Sequence, residues 1–209
     1  MTRLKERILD IAYKNKLSHL GSHLSSVDII DEIYSKMGKS DIFILSSGHA
    51  ALALYVVLEK YCEYDAQGLF DTFGGHPKYC PALGLYCSTG SLGMGITVAV
   101  GRALANKNIT VHCLLSDGEC AEGSVWEALR FIQEKKLKNI KIYVNINGYA
   151  AYDPVDKDYL IKRLKSFYDD VIIKETTVNQ LPFLCGLNAH YKIMTKEDYD
   201  VVTKMCPEI

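Results

Sequence analysis

Residues 114–148 read LLSDGECAEGSVWEALRFIQEKKLKNIKIYVNING and contain two apolar strands separated by an amphipathic helix. The first strand runs into Asp117 and Gly118, and the second ends at Asn147. This order is typical of a βαβ unit, in which two parallel strands end at the same edge of a sheet. A carboxylate and an amide at that edge can bind a divalent cation and a diphosphate. The Asp-Gly pair is also common in simple turns, so the stretch alone leaves both interpretations open.

Strands and helices alternate along the rest of the chain in the same way, which predicts an α/β fold in one domain over residues 1–209. The predicted strands cover residues 41–45, 109–115, 140–146 and 171–174. The first predicted helix starts near Leu4, and the second is capped by Ser25 or Ser26. Further predicted helices cover residues 50–61, 92–106, 123–135, 159–168 and 196–205. We expect residues 70–90 and 149–158 to form loops.

Composition limits the classes of function. The chain has 209 residues, of which 48% are hydrophobic, so it can bury one good core. Its 24 lysines and arginines nearly balance 25 aspartates and glutamates, which argues against nucleic acid as a partner. No apolar run is long enough to span a membrane. The seven cysteines, without a secretion signal, predict reduced thiols in the cytoplasm, most of them in the core.

Three of the six histidines lie in glycine- or serine-containing loops: His19, His49 and His76. Imidazoles in such loops can reach a ligand and titrate near neutral pH, although each one alone is also typical of a structural histidine or a helix cap. His112 lies within an apolar strand and is expected in the core. His23 and His190 have no informative sequence context.

Two further motifs have both a structural and a functional interpretation. Residues 88–95, STGSLGMG, form a glycine-rich start of a helix, which can present backbone amides to an anion or allow close packing. Glu119 and Glu122 precede the helix of residues 123–135, where carboxylates stabilise a helix amino terminus by about 0.3 to 1 kcal/mol. Trp126 is expected to anchor the core or an interface.

Together and in this order, these motifs resemble the amino-terminal, diphosphate-binding domain of transketolase, a thiamin diphosphate enzyme. The resemblance covers roughly residues 4–148, with a shorter similarity at residues 181–199. It implies a three-layer fold, in which helices flank a mostly parallel central sheet. The pyrimidine domain, which completes the cofactor site in this family, has no counterpart in the sequence. The resemblance therefore implies the amino-terminal subunit of a split transketolase, joined by a separate carboxy-terminal subunit in an α2β2 assembly.

The resemblance also implies roles for individual residues. It implies a divalent cation, Mg²⁺ or alternatively Ca²⁺ or Mn²⁺, bound by Asp117, Asn147 and the carbonyl of Tyr149. It implies contacts with thiamin diphosphate by His49, Gly90, Leu92, Gly118, Glu119 and Asn147. It implies catalytic roles for His19, His49 and His76 beside the sugar, and for Glu122 in a carboxylate network between paired active sites.

The implied activity is transfer of a two-carbon ketol unit from a ketose or ketose phosphate to an aldose. A non-catalytic cofactor-binding module and a thiamin-dependent synthase with another acceptor are the alternatives. Three departures from the family pattern bear on substrate range. Ser116 replaces a glycine, Asn145 stands where aspartate is common, and the sequence YAAYDPVD follows the expected metal site. A family histidine that contacts the diphosphate, in an Asp-Gly-His context, also has no clear counterpart.

Overall fold

The computed structural model describes residues 1–150 and 153–205. Its sheet contains four parallel strands in the order β1-β2-β3-β4: Ile42–Leu45, Val111–Ser116, Ile140–Ile146 and Ile172–Glu175. The helices, in chain order, are α1 Arg3–Lys14, α2 Leu20–Lys36, α3 Ala51–Cys62, α4 Ala66–Phe73, α5 Met94–Ala105, α6 Gly123–Lys135, α7 Lys157–Phe167, α8 Asn188–Tyr191 and α9 Lys196–Met205. The predicted α/β class and the parallel sheet are confirmed.

The core lies on both faces of the sheet, because alternate residues of each strand point to opposite sides. Phe43 and Leu45 pack against α1, α2 and α3, whereas Ile42 and Ile44 pack against α5 and α6. This arrangement gives the predicted three layers. The β1, β2 and β3 strands are almost entirely buried, which explains their nearly continuous apolar sequences.

The start of α2 and the segment of residues 70–90 differ most from the prediction, whereas other elements differ by one or two residues at their ends. Helix α2 begins at Leu20 after His19, which has a left-handed backbone with φ of 61°, so Ser25 and Ser26 lie inside the helix and do not cap it. Their hydroxyls instead accept hydrogen bonds from the Asn145 amide at 3.0 and 3.2 Å. A partner 119 or more residues away thus replaces the local capping role.

The segment of residues 70–90 is not entirely a loop. Helix α4 extends into it and is capped by the Asp65 side chain, which accepts hydrogen bonds from Gln67 and Gly68. A short 3₁₀ turn covers Pro81–Leu83. The short helix α8 was not predicted at all.

The cysteines are divided between the core and the surface. Cys113 and Cys120 are buried, and Cys80 and Cys87 are half-buried and pack against the core. Cys62 and Cys185 are exposed, and Cys206 lies outside the described residues. His112 is 2% exposed and bonds to the Tyr143 hydroxyl, as expected for a core histidine. In the described part of the chain, no helix has both the length and the apolar character needed to cross a membrane. The single domain over residues 1–209 stays a prediction.

Candidate cofactor site

A cavity of 210 Å³ opens at the edge of the sheet where β1, β2 and β3 end. Eight residues proposed from the sequence line it: His19, His49, His76, Gly90, Leu92, Gly118, Asn147 and Tyr149. Ser22, Ser116, Ala150 and His190 complete its wall. Ligands of α/β proteins bind at this edge, because loops and helix amino termini converge there. The fold thus brings together loops that are far apart in the sequence.

Three imidazoles of the cavity, those of His19, His49 and His190, form one cluster. The ring centroids of His19 and His49 are 5.6 Å apart, and those of His19 and His190 are 4.2 Å apart. The Ser18 hydroxyl lies 2.8 Å from His19 Nδ1, and the backbone N–H of His19 donates to the carbonyl of His190. The cluster can therefore present several ring nitrogens to one polyhydroxylated ligand.

Burial keeps these imidazoles neutral. It lowers the pKa of His19 to about 4 and the pKa of His49 to about 3, with a smaller contribution from neighbouring histidines. The same effect lowers the pKa of His190. A neutral imidazole has one donor and one acceptor nitrogen, so at pH 7 each ring can both give and accept a hydrogen bond.

His190 was missed from the sequence, where it had no informative context. It lies on α8, which packs against α2, and Gly21 makes the close approach possible. A Cβ atom at Gly21 would lie 2.9 Å from the Cβ atom of Ala189 and 3.1 Å from that of Val178. The glycine near His19 was the available signal, because it marks a close helix contact next to a site histidine.

Asp117 is buried at the end of β2, with 3% exposure. Its carboxylate accepts hydrogen bonds from the N–H groups of Gly118 and Gly148, at 3.1 and 2.7 Å. Burial nevertheless raises its pKa to about 6, and no lysine or arginine of residues 1–150 and 153–205 forms an ion pair with it. A cation would stabilise this buried charge.

The surrounding donors fit a hard divalent cation and a diphosphate. The candidate ligands are the Asp117 carboxylate, the buried amide oxygen of Asn147 and the backbone carbonyl of Tyr149, and oxygen ligands of these kinds suit Mg²⁺ or Ca²⁺. Among the described residues, no three His, Cys, Asp or Glu side chains are grouped to hold a metal, but this set of ligands is of a different kind. At Gly118 a Cβ atom would lie 3.3 Å from the Cα atom of Ala150, so glycine keeps the turn narrow.

The glycine-rich turn lies against the loop of His49. A Cβ atom at Gly48 would lie 2.6 Å from the carbonyl carbon of Thr89 and 2.7 Å from the nitrogen of Gly90. Gly90 has φ of 145°, and a Cβ atom there would lie 3.0 Å from the His76 ring. Backbone and imidazoles thus meet at distances that only glycine allows.

The two glutamates proposed from the sequence do not line the cavity. Glu119 is fully buried behind the wall, and its carboxylate accepts three hydrogen bonds from the protein. Its side chain thus faces protein groups, and the implied contact of Glu119 with the cofactor stays a prediction. Glu122 is exposed and lies at the start of α6 beside Gly93. Trp126 is partly buried, donates to the Cys120 carbonyl and packs against Phe167 and Arg163.

A larger groove, of 730 Å³, lies elsewhere, between α1, α2 and α3. Its lining includes Arg7, Asp31, Glu59 and Lys60, and these charges are paired within the protein at 2.6 to 2.9 Å. Paired surface charges offer little to a ligand. The smaller cavity at the strand ends therefore has the more suitable chemistry.

Comparison with known proteins identifies the family of the chain. The family model described as "Transketolase, thiamine diphosphate binding domain" matches residues 5–171. One of the subunits of the apulose-4-phosphate transketolase of Phocaeicola vulgatus is 33% identical over 164 residues, which cover 68% of this chain and 58% of that protein. The transketolase of Pongo abelii is 36% identical over 167 residues, which cover 72% of this chain and 27% of that protein.

Solved structures share the fold. The transketolase from Leishmania mexicana superposes with a TM-score of 0.70 at 19% identity, over 90% of this chain and 38% of that one. At this identity the likeness concerns the fold alone. The chain thus spans somewhat more than half of one curated relative and about a quarter of the other.

Proposed function

The chain belongs to the family of transketolase thiamine diphosphate-binding domains, and we propose that it is the amino-terminal subunit of a two-component transketolase. In this proposal residues 1–209 form one diphosphate-binding domain, and a separate subunit supplies the pyrimidine domain, in an α2β2 assembly. The reaction is the transfer of a two-carbon ketol unit from a ketose or ketose phosphate to an aldose. The observation that supports it best is the single cavity shared by the histidine cluster and the diphosphate-type edge around Gly118.

The residues of the chain have distinct tasks in this proposal. Asp117 and Asn147, with the carbonyl of Tyr149, hold Mg²⁺ or a similar cation, and Gly118 offers its backbone to the diphosphate. Gly90 and Leu92 form the wall on the pyrimidine side. Bound thiamin diphosphate supplies the carbanion chemistry of the ketol transfer.

The histidines orient the sugar and move its protons. His19, His49 and His76 line the cavity, and His190 lies against the first two, so these rings can bind the hydroxyls of a ketose from several sides. A neutral imidazole can accept a hydroxyl proton at one nitrogen while it donates from the other, which is the task of a general base. We assign His190 to the diphosphate contact for which the sequence motifs had no counterpart. Glu122 is exposed at the start of α6, where a partner protein can meet it.

The location and the partner classes are also part of the proposal. The six cysteines among the described residues are free, which supports a reducing, cytoplasmic compartment. Sugars or sugar phosphates are the substrates, and the balanced net charge of −1 gives no support to nucleic acid as a partner.

The direct test combines the purified chain with a candidate carboxy-terminal subunit, thiamin diphosphate and Mg²⁺. Ketol transfer is then measured with a panel of phosphorylated and unphosphorylated ketoses. Asp117→Ala should abolish activity, whereas the exposed control Asp158→Ala should keep it. Full activity of Asp117→Ala contradicts the metal assignment. Cofactor binding without turnover on any ketose supports the non-catalytic module, and turnover only with another acceptor supports the synthase.

A further inference from the structure

One buried carboxylate connects three segments of the cavity wall. Glu119 has 0% exposure, and its Oε1 accepts hydrogen bonds from the Ser46 hydroxyl at 2.7 Å and the Gly93 N–H at 3.0 Å. Its Oε2 accepts from the Ser116 N–H at 3.1 Å. Ser46 follows β1, Ser116 ends β2, and Gly93 precedes α5, so the three donors come from three different elements.

Each donor is close in sequence to a residue at the cavity. Ser116 itself lines the cavity and directly precedes Asp117, and Gly93 directly follows the lining residue Leu92. Ser46 begins the short turn that leads to His49. A movement of the Glu119 carboxylate would therefore shift the end of β2, next to Asp117, together with the glycine-rich turn.

Both backbone polar groups of Gly93 form hydrogen bonds with side chains. Its N–H donates to Glu119, and its carbonyl accepts from the Ser124 hydroxyl at 2.9 Å. Gly93 has φ of 75°, and a Cβ atom there would lie 2.5 Å from Ser124 Oγ. At Gly95 a Cβ atom would lie 2.6 Å from the Cα atom of Ser46. The turn thus has little freedom to adjust if one of these bonds is lost.

The three donors around Glu119 need a side chain in which both terminal atoms accept hydrogen bonds. Two of them are backbone N–H groups that cannot rotate away, one facing each oxygen. A glutamine has one amide NH₂ group, which would face the N–H of either Gly93 or Ser116. At least one backbone donor would then face another donor and have no acceptor. Buried donors that lose their acceptor destabilise the arrangement that held them.

We infer that Glu119 is a positioning residue, whose buried carboxylate fixes the Gly90–Gly93 turn to the ends of β1 and β2 and so sets the cofactor-facing wall. This inference rests on the proposed function, since it assumes that the wall binds thiamin diphosphate. Glu119 acts through Gly93 and Ser116 and touches no ligand itself. Removal of the outer partners of a metal site typically weakens binding about 10- to 100-fold.

The test compares Glu119→Gln with Glu134→Gln in the full chain, combined with its partner subunit. Glu134 lies on the same segment of chain but is exposed, where it pairs with Arg130. Isothermal titration with thiamin diphosphate and with inorganic pyrophosphate, both in Mg²⁺, is done well below each unfolding temperature. We expect Glu119→Gln to bind both ligands about 10- to 100-fold more weakly, and Glu134→Gln to bind as the natural protein does.

Ser46→Ala keeps the experiment decisive if Glu119→Gln fails to fold. It removes only the hydrogen bond from the Ser46 hydroxyl to Oε1 of Glu119, the oxygen that also accepts from Gly93 in the glycine-rich turn. It should therefore weaken thiamin diphosphate binding while pyrophosphate binding stays unchanged. A purely structural role would lower the unfolding temperature and leave both affinities as they are, and this result would overturn the inference. If the natural protein binds neither ligand, the proposed function itself fails.

Discussion

Acidification should destabilise the folded chain through its buried histidines, and His23 offers the sharpest test. His23 is 4% exposed, and burial, aided by His19 and His49, lowers its pKa to about 3. In the unfolded chain the pKa of a histidine returns to about 6.5. Between these values the unfolded state binds a proton that the folded state does not. The free energy of unfolding therefore falls as the pH falls through this window. The contribution of the neutral His23 is fully present above pH 6.5.

One linked proton changes the free energy of unfolding by about 1.4 kcal/mol per pH unit. His23 alone should thus cost about 2 kcal/mol between pH 6.5 and pH 5, and His49, with a pKa lowered to about 3, acts in the same direction. Asp117 has the opposite effect on the free energy of unfolding. Burial raises its pKa to about 6, so as the pH falls its carboxylate binds a proton in the folded chain before it does so in the unfolded chain. A comparison of variants removes this opposing contribution, since it is common to all of them.

The assay is urea denaturation of the natural chain, His23→Asn, His49→Asn and the double variant at several pH values from 4.5 to 7. Below about pH 5.5 each single change should flatten the slope of unfolding free energy against pH by about 1.4 kcal/mol per pH unit, and the double change by about twice as much; near pH 6.5 the effect of each falls to about half. The comparison concerns slopes, so a constant loss of packing does not affect it. If His23→Asn keeps the slope of the natural chain, the buried neutral state of this histidine is refuted.

Three further outcomes follow from the contacts around the cavity. Gly48→Ala should destabilise the chain by about 1 to 3 kcal/mol in urea denaturation, because its Cβ atom would lie 2.6 Å from the Thr89 backbone; an unchanged midpoint would contradict this contact. Asn145→Leu should cost about 2 to 4 kcal/mol in the same assay, since it leaves the Ser25, Ser26 and Thr176 hydroxyls without their partner. Thiamin diphosphate at about 100 times its Kd should stabilise the assembled protein by about 2.7 kcal/mol, and excess EDTA should remove that gain in a thermal shift measurement. A gain that survives EDTA would argue against a cation at Asp117.

Several elements were predictable because their signals are local. The bounds of β3, α6 and α9 agree with those expected from apolar spacing, and β1 and β2 differ by one or two residues at their ends. The residues that line the cavity were also mostly expected, because their motifs lie directly after strands or at helix starts. Such loops must meet at one edge when the strands are parallel.

The start of α2 and the segment before the glycine-rich turn were harder for a physical reason. Serine is a good helix cap when its hydroxyl has only the local backbone as a partner. Ser25 and Ser26 have Asn145 as a partner, which the sequence places more than a hundred residues away. Helix α4 likewise depends on its cap Asp65 and on packing against α3. Neither of these gives residues 70–90 an apolar periodicity from which a helix could be predicted.

The sequence by itself determined the alternation of strands and helices, the family resemblance and the position of Asp117 and Asn147 at neighbouring strand ends. These features depend on local periodicity and on motifs whose order is visible along the chain. Only the tertiary structure decided that His190 joins His19 and His49, and that Glu119 faces inward to Ser46, Gly93 and Ser116. Side-chain direction and long-range contact depend on how the layers pack, because a carboxylate before a helix can cap it or turn inward with the same local sequence.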